Sequence, residues 1–165
     1  APRPGKLCSG GAGTQRRRAL LMLYFDTSAV LPYYRQEQAS DRVQALLESQ
    51  TQPVLISHLT EVEVASALAR WVRMGELSEP QANRIESAFH DDVSHGRFSL
   101  CPIETAHYKR ASHWIGTRKT SLRTLDALHL ACAEHHQAQL ISEDEALVNA
   151  AVFFGIDARL ASKGD

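Results

Sequence analysis

Short apolar runs alternate with helical patterns along most of this chain, and that alternation admits few folds. Met22 to Phe25 is apolar and is stopped by Asp26-Thr27-Ser28, the form of a buried parallel strand leading into a helix cap. Pro53 to Ile56, stopped by Ser57, predicts a second strand, and Phe98 to Leu100, ended by Cys101-Pro102, a third. Leu140-Ile141 predicts a fourth, and a last strand is expected around Ile156 to Leu160. Helical patterns lie between them: through Leu31, from Gln38 to Leu47, and from His58 to Met74 with Gly75 as the stop. Ser78 is placed to cap the next helix, which ends near Gly96. Others run from Glu104 to Ile115, from a Thr124 cap to His135-His136, and from Asp144 to Ala151. Such alternation predicts a three-layer α/β/α sandwich around a central, mainly parallel sheet. At 165 residues the chain can bury one core without disulfides or structural metal.

In open α/β sheets the site lies beyond the carboxyl ends of the strands. Acidic residues stand at such places here. Asp26 ends the first strand, Asp144 follows the fourth, and Asp126 opens the largely apolar stretch Asp126 to Ala133. Glu61 and Glu63 both lie in the first turns of the helix after the second strand. Gathered carboxylates repel and raise one another's pKa, so the cluster calls for a hard cation. Oxygen-only ligation suits Mg²⁺, with Mn²⁺ as its substitute. The pattern points to a metal-dependent phosphodiester hydrolase.

Each acid also has a purely local explanation. Asp26 can form an Asx turn with Thr27-Ser28. A charge at Asp126 favours the helix dipole by about 0.3–1 kcal/mol, but its helix is apolar on nearly every face, and burying a carboxylate costs far more. Thr60 to Glu63 and Ser142 to Glu145 both match a capping box, the second leaving Asp144 free to point elsewhere. A helical wheel begun at Leu59 places Glu61 nearer the apolar arc than Glu63. Spacing alone does not choose between the two glutamates.

Formal net charge is −1, so any attraction for a polyanion has to come from local patches or from bound metal. Cys8, Cys101 and Cys132 form no C-x-x-C pair, which argues against a disulfide framework or a thiolate zinc site and fits a reducing compartment. His135-His136 suit the negative end of a helix dipole better than ligation, because no metal-ligand spacing accompanies them. Residues 1–20, rich in Gly, Pro, Ser and Arg, read as a disordered leader or an expression remnant, with Met22 as the natural start. Arg16-Arg17-Arg18 before Ala19 to Phe25 faintly mimics a secretory signal, but Asp26 ends the apolar run early. No segment is apolar enough to span a bilayer, and a cytoplasmic protein with no membrane partner is expected.

Four motifs occur in order: Asp26-Thr27-Ser28-Ala29-Val30, Thr60-Glu61-Val62-Glu63-Val64, Leu125-Asp126-Ala127-Leu128-His129-Leu130-Ala131, and Ile141-Ser142-Glu143-Asp144. Together they resemble the PIN-domain ribonucleases, specifically the VapC-type toxins of prokaryotic toxin–antitoxin pairs. The resemblance spans residues 21–165 as one PIN-like nuclease domain. It implies a Mg²⁺- or Mn²⁺-dependent ribonuclease with Asp26, Glu63, Asp126 and Asp144 as its acidic residues. Asp26, Asp126 and Asp144 would be the metal ligands, with Thr27, Ser28 and Ser142 in support. It selects Glu63 over Glu61, because the family glutamate lies three residues after a Thr. It also implies an RNA substrate, a cognate antitoxin protein and a homodimer. Arg118, Lys119 and Arg123, just before Asp126, are placed to hold flanking phosphates, although a solvated loop explains that run equally well. Acidic Glu143 and Glu145 depart from the aromatic or basic residues expected beside Asp144 in many relatives.

Rival readings are weaker. A haloacid-dehalogenase-like phosphatase needs a second Asp two residues after the first, where Ser28 stands, and no P-loop motif is present. A non-catalytic PIN-like module that binds RNA or protein gains nothing from clustered carboxylates. A housekeeping RNA-processing nuclease would share the chemistry without an antitoxin.

Overall fold

The sheet owes its form to strands that are apolar on both faces. In the computed structural model, which describes residues 21–163, five parallel strands take the order β3-β2-β1-β4-β5. They are β1 (Leu23–Phe25), β2 (Val54–Ser57), β3 (Phe98–Cys101), β4 (Gln139–Ser142) and β5 (Ala158–Leu160). Successive side chains alternate between faces. Leu23, Phe25, Val54, Ile56, Phe98 and Ile141 enter one core, while Tyr24, Leu55 and Leu140 enter the other. Helices α1 (Thr27–Tyr34), α2 (Ser40–Glu48), α3 (His58–Arg73) and α4 (Glu79–Ser94) cover the first face. Helices α5 (Thr105–Gly116), α6 (Thr124–His135) and α7 (Glu145–Phe153) cover the second. The expected three-layer sandwich is present, and the sheet is wholly parallel. The leader expected at residues 1–20 lies outside the described residues.

Local chemistry sets the ends of the elements. Ser78 caps α4 in a reciprocal capping box with Gln81, as its sequence predicts. Gly75 follows α3 at φ +72°, a conformation that side chains resist, and Glu76 N–H closes the turn on the Trp71 carbonyl at 2.9 Å. The two other expected capping boxes do not form. Helix α3 starts at His58, as its pattern predicts, with Ser57 at its N-cap, so Thr60 lies buried inside the first turn. Helix α7 is capped by Asp144, whose side chain accepts from the Ala146 and Leu147 amides, and Ser142 turns elsewhere. Thr124 is the first residue of α6 rather than its cap, which is Arg123. Helix α1 continues past Leu31 through Pro32 to Tyr34.

Cys101 and Cys132 are free and buried, and burial pushes the Cys132 thiol up to about 12. Among the described residues no helix is long and apolar enough to cross a membrane. Phe25, fully buried in the central strand, anchors the first core. Phe25→Ala should therefore lower unfolding free energy by about 3–5 kcal/mol in guanidinium titration, without changing the helical circular dichroism of the native baseline.

Candidate functional site

The chain winds outward from β1 through β2 to β3, then returns to the other side of β1 to lay down β4 and β5. Helix α1 leaves β1 toward one face, and α7 leaves β4 toward the other. Their divergence opens a crevice at the carboxyl ends of β1 and β4, the topological switch point where α/β sheets bind ligands.

Asp26 stands in that crevice. It is 4% exposed, and its amide extends the sheet by donating to the Ile141 carbonyl at 3.2 Å. Ser28 Oγ donates to its carboxylate at 2.8 Å, Ser142 Oγ at 2.7 Å, and the Ala29 amide at 3.0 Å. The two serines are themselves oriented from outside. Glu143 N–H donates to Ser28 Oγ and Asp144 N–H to Ser142 Oγ, which turns each hydroxyl proton toward Asp26. Burial nevertheless dominates and raises the Asp26 pKa above the usual carboxylate range, against the lowering effects of His129 and these hydrogen bonds.

Glu63 faces the same region from α3. Thr27 Oγ1 donates to Glu63 Oε1 at 2.9 Å, and His129 Nε2 meets the same oxygen at 2.5 Å. Glu61 instead pairs with the exposed His58 at 2.7 Å. An apolar wheel misplaces the two because it treats the facing surface as uniformly apolar; Thr27 and His129 make a polar notch in it. Burial acts to raise the Glu63 pKa, but the electrostatic pull and hydrogen bond of His129 and the hydrogen bond of Thr27 outweigh it, and the pKa falls. Glu63 is therefore an anion that only accepts. His129 Nε2 accordingly donates to Glu63, and its Nδ1 shares a hydrogen bond with the Tyr24 hydroxyl at 2.8 Å.

His129 is the residue that sequence reasoning missed. It is 2% exposed and ties β1, α3 and α6 together through both ring nitrogens. Its signal is a histidine in the middle of an apolar helix, three residues after Asp126 and so on the same face. His135 and His136 pack ring to ring at 5.0 Å at the far end of that helix.

Asp126 and Asp144 meet through one cation. Arg123 Nε donates to Asp126 Oδ2 at 3.3 Å, and its terminal nitrogen lies 3.6 Å from Asp144 Oδ2. Asp144 thus has one oxygen on the α7 amides and the other toward Arg123, correcting the expectation that a Ser142 cap would leave it free. Burial raises the Asp126 pKa, the charge of Asp144 adds to this, and Arg123 opposes it. Arg118 and Lys119 are exposed in the loop before α6, with no bond to these acids among the described residues.

Asp26 joins Ser28 and Ser142, Glu63 joins Thr27, and Asp126 joins Asp144. Among the described residues, however, no three His, Cys, Asp or Glu side chains close around one point as a bound metal requires. The donor chemistry still fits a hard cation. All four candidates are carboxylates, two carry pKa values raised by burial, and a guanidinium already stands between two of them.

The PIN domain family profile matches residues 23–152. No curated protein sequence matches the chain. Among solved structures, FitAB bound to an IR36 DNA fragment is similar over 87% of this chain and 98% of its own, at 20% identity and a TM-score of 0.67. VapBC-1 from nontypeable Haemophilus influenzae is similar over 87% and 100%, at 14% identity and 0.61. VapC20 from Mycobacterium tuberculosis, a toxin that cleaves the sarcin–ricin loop, is similar over 78% and 94%, at 12% identity and 0.59.

The raised acids make a pH prediction. An acid whose folded pKa exceeds its unfolded value holds more protons when folded, so stability is lost as pH rises through that window. Asp26 and Asp126 both have this sign. Glu63 has the opposite sign, so the difference between variants is the measure: in chelator-treated protein, urea titrations from pH 4 upward should show Asp26→Asn gaining stability relative to wild type as pH rises.

Proposed function

The chain belongs to the PIN domain family, and on that premise we propose that it is a Mg²⁺- or Mn²⁺-dependent ribonuclease serving as the toxin of a toxin–antitoxin pair. Asp26 carries the reading. Capping α1 explains one of its oxygens, and a serine would cap at lower desolvation cost. A buried carboxylate with no Lys or Arg paired to it among the described residues, at the switch point of a parallel sheet, is what a cation site requires. The partner side of the reading is supported by similarity to a toxin–antitoxin complex from Klebsiella pneumoniae and by the sarcin–ricin loop cleavage of VapC20. A cognate antitoxin, a homodimer and action in the cytoplasm belong to the same proposal.

Asp26, Asp126 and Asp144 would hold the ion. When bound, it supplies Lewis-acid charge at the scissile phosphate and a more acidic water. Ser28 and Ser142 keep the Asp26 oxygens aimed, so that the ion meets a preset ligand. Glu63 has both its bonds on Oε1, and Oε2 remains to accept a hydrogen bond from the attacking water and orient it. His129 positions Glu63 and is in turn positioned by Tyr24. Arg118, Lys119 and Arg123 supply the local positive charge that a chain of net charge −1 needs to hold RNA phosphates. An acidic pocket of this kind also suits an inserted Arg or Lys from an antitoxin.

Two substitutions test the assignment. Asp126→Asn should keep the fold, with a melting temperature unchanged or a few degrees higher without metal, because it removes a desolvated charge. Cleavage of single-stranded RNA and the thermal shift on adding Mn²⁺ should both disappear; full activity in this variant would remove Asp126 from the site. Glu63→Gln should lower cleavage by about 10–100-fold or more, while Glu61→Gln, losing an exposed pair with His58, should change it little. Wild-type protein that folds but neither binds Mn²⁺ nor cuts RNA would favour a binding module instead.

A further inference from the structure

Arg123 occupies the N-cap of α6, where a cation works against the helix dipole, and its side chain makes no capping bond. Helix stability therefore does not explain it. What the guanidinium finds there is Asp126 at 3.3 Å and Asp144 at 3.6 Å. Among the described residues it is the one Lys or Arg paired with any of the four acids. The arginine side chain is 79% exposed, against 23% and 29% for the two aspartates, so the cation is the solvent-side partner and the carboxylates are the held ones. Exposed pairs of this kind are weak and exchange readily. Asp144 is held most firmly, with its other oxygen committed to two α7 amides.

Building on the metal-dependent reading above, we propose that Arg123 is a built-in counter-ion that a divalent cation displaces from Asp126 and Asp144, and that the released guanidinium takes an RNA phosphate. The single guanidinium offsets part of the charge of the two acids when the ion is absent; when the ion is present, their attraction for the arginine falls and an anionic substrate becomes its better partner. A planar fork suits both roles, since carboxylate and phosphate offer it similar oxygen pairs. Arg123 thereby couples ion loading to RNA capture. The signature is a single substitution that moves the two affinities in opposite directions.

The test uses Mn²⁺ alone, by titration calorimetry on the RNA-free protein, for wild type, Arg123→Ala, Arg123→Lys and Arg73→Ala. Arg73 lies exposed at the far end of α3 and reports the effect of net charge alone. Arg123→Ala should bind Mn²⁺ about 3- to 5-fold more tightly, the factor that one weak exposed pair allows, with Arg123→Lys in between and Arg73→Ala unchanged. Fluorescence anisotropy of a labelled single-stranded RNA, with Ca²⁺ in place of Mn²⁺, should show several-fold weaker binding by Arg123→Ala. Unchanged or weaker Mn²⁺ binding in Arg123→Ala, or equal tightening in Arg73→Ala, would overturn the counter-ion role. Unaltered RNA binding would overturn the phosphate role. Those outcomes leave the metal-dependent reading standing, whereas a wild type that takes up no Mn²⁺ would remove that reading and this inference together.

Discussion

A carboxylate that is almost out of water has to be surrounded by donors, and the donors of Asp26 determine how the rest of the site is assembled. They come from α1, through Ser28 and the Ala29 amide, and from the end of β4, through Ser142. Each serine is aimed by an amide of the segment after β4. One charge thereby locks together the two segments that diverge at the switch point. Replacing either serine by alanine removes a donor from a group that burial already disfavours as an anion.

From this centre the site spreads as a set of shared partners. Thr27, adjacent to Asp26, reaches Glu63; Glu63 reaches His129; His129 reaches back to Tyr24 on β1, the strand that leads into Asp26. The loop encloses the first layer of the site between β1, α3 and α6. It is also what separates Glu63 from Glu61, since only Glu63 has Thr27 and a buried imidazole to meet. Networks in which every member is satisfied hold their geometry because breaking one bond strands another group in a low dielectric.

The layer architecture was legible because it rests on period and punctuation. Two-sided apolar strands, helix stops such as Gly75 and the Ser78 capping box are local signals, and each appears where the residues predict it. Thr124, Ser142 and Thr60 are not caps, each for a physical reason: α6 begins at Thr124 itself, with Arg123 as its N-cap. Ser142 and Thr60 have the right side chains for capping, but Ser142 has a buried anion to serve and Thr60 lies inside a helix that begins at His58. Tertiary demand overrides a local motif at Ser142; α3 begins at His58, where its pattern places it, so Thr60 comes too late to cap. The meeting of His129 with Glu63 was illegible from either segment alone, because it joins residues far apart in the chain and is visible only once α3 and α6 are placed on opposite faces of the sheet.

Asp144 holds the first turn of α7 with one oxygen and faces the acidic centre with the other. A carboxylate shared in this way makes the amides of Ala146 and Leu147 sensitive to whatever charge arrives in the crevice. A ligand that draws electron density from Asp144 weakens its acceptance from those two amides and loosens the helix start, whereas one that only fixes its orientation tightens both. Hydrogen exchange at these two backbone positions is then a local gauge of occupancy, read from a helix rather than from the ligand. Because α7 packs Leu147, Ala150 and Ala151 into the second core, the loosening would remain in its first turn, with the remaining turns anchored.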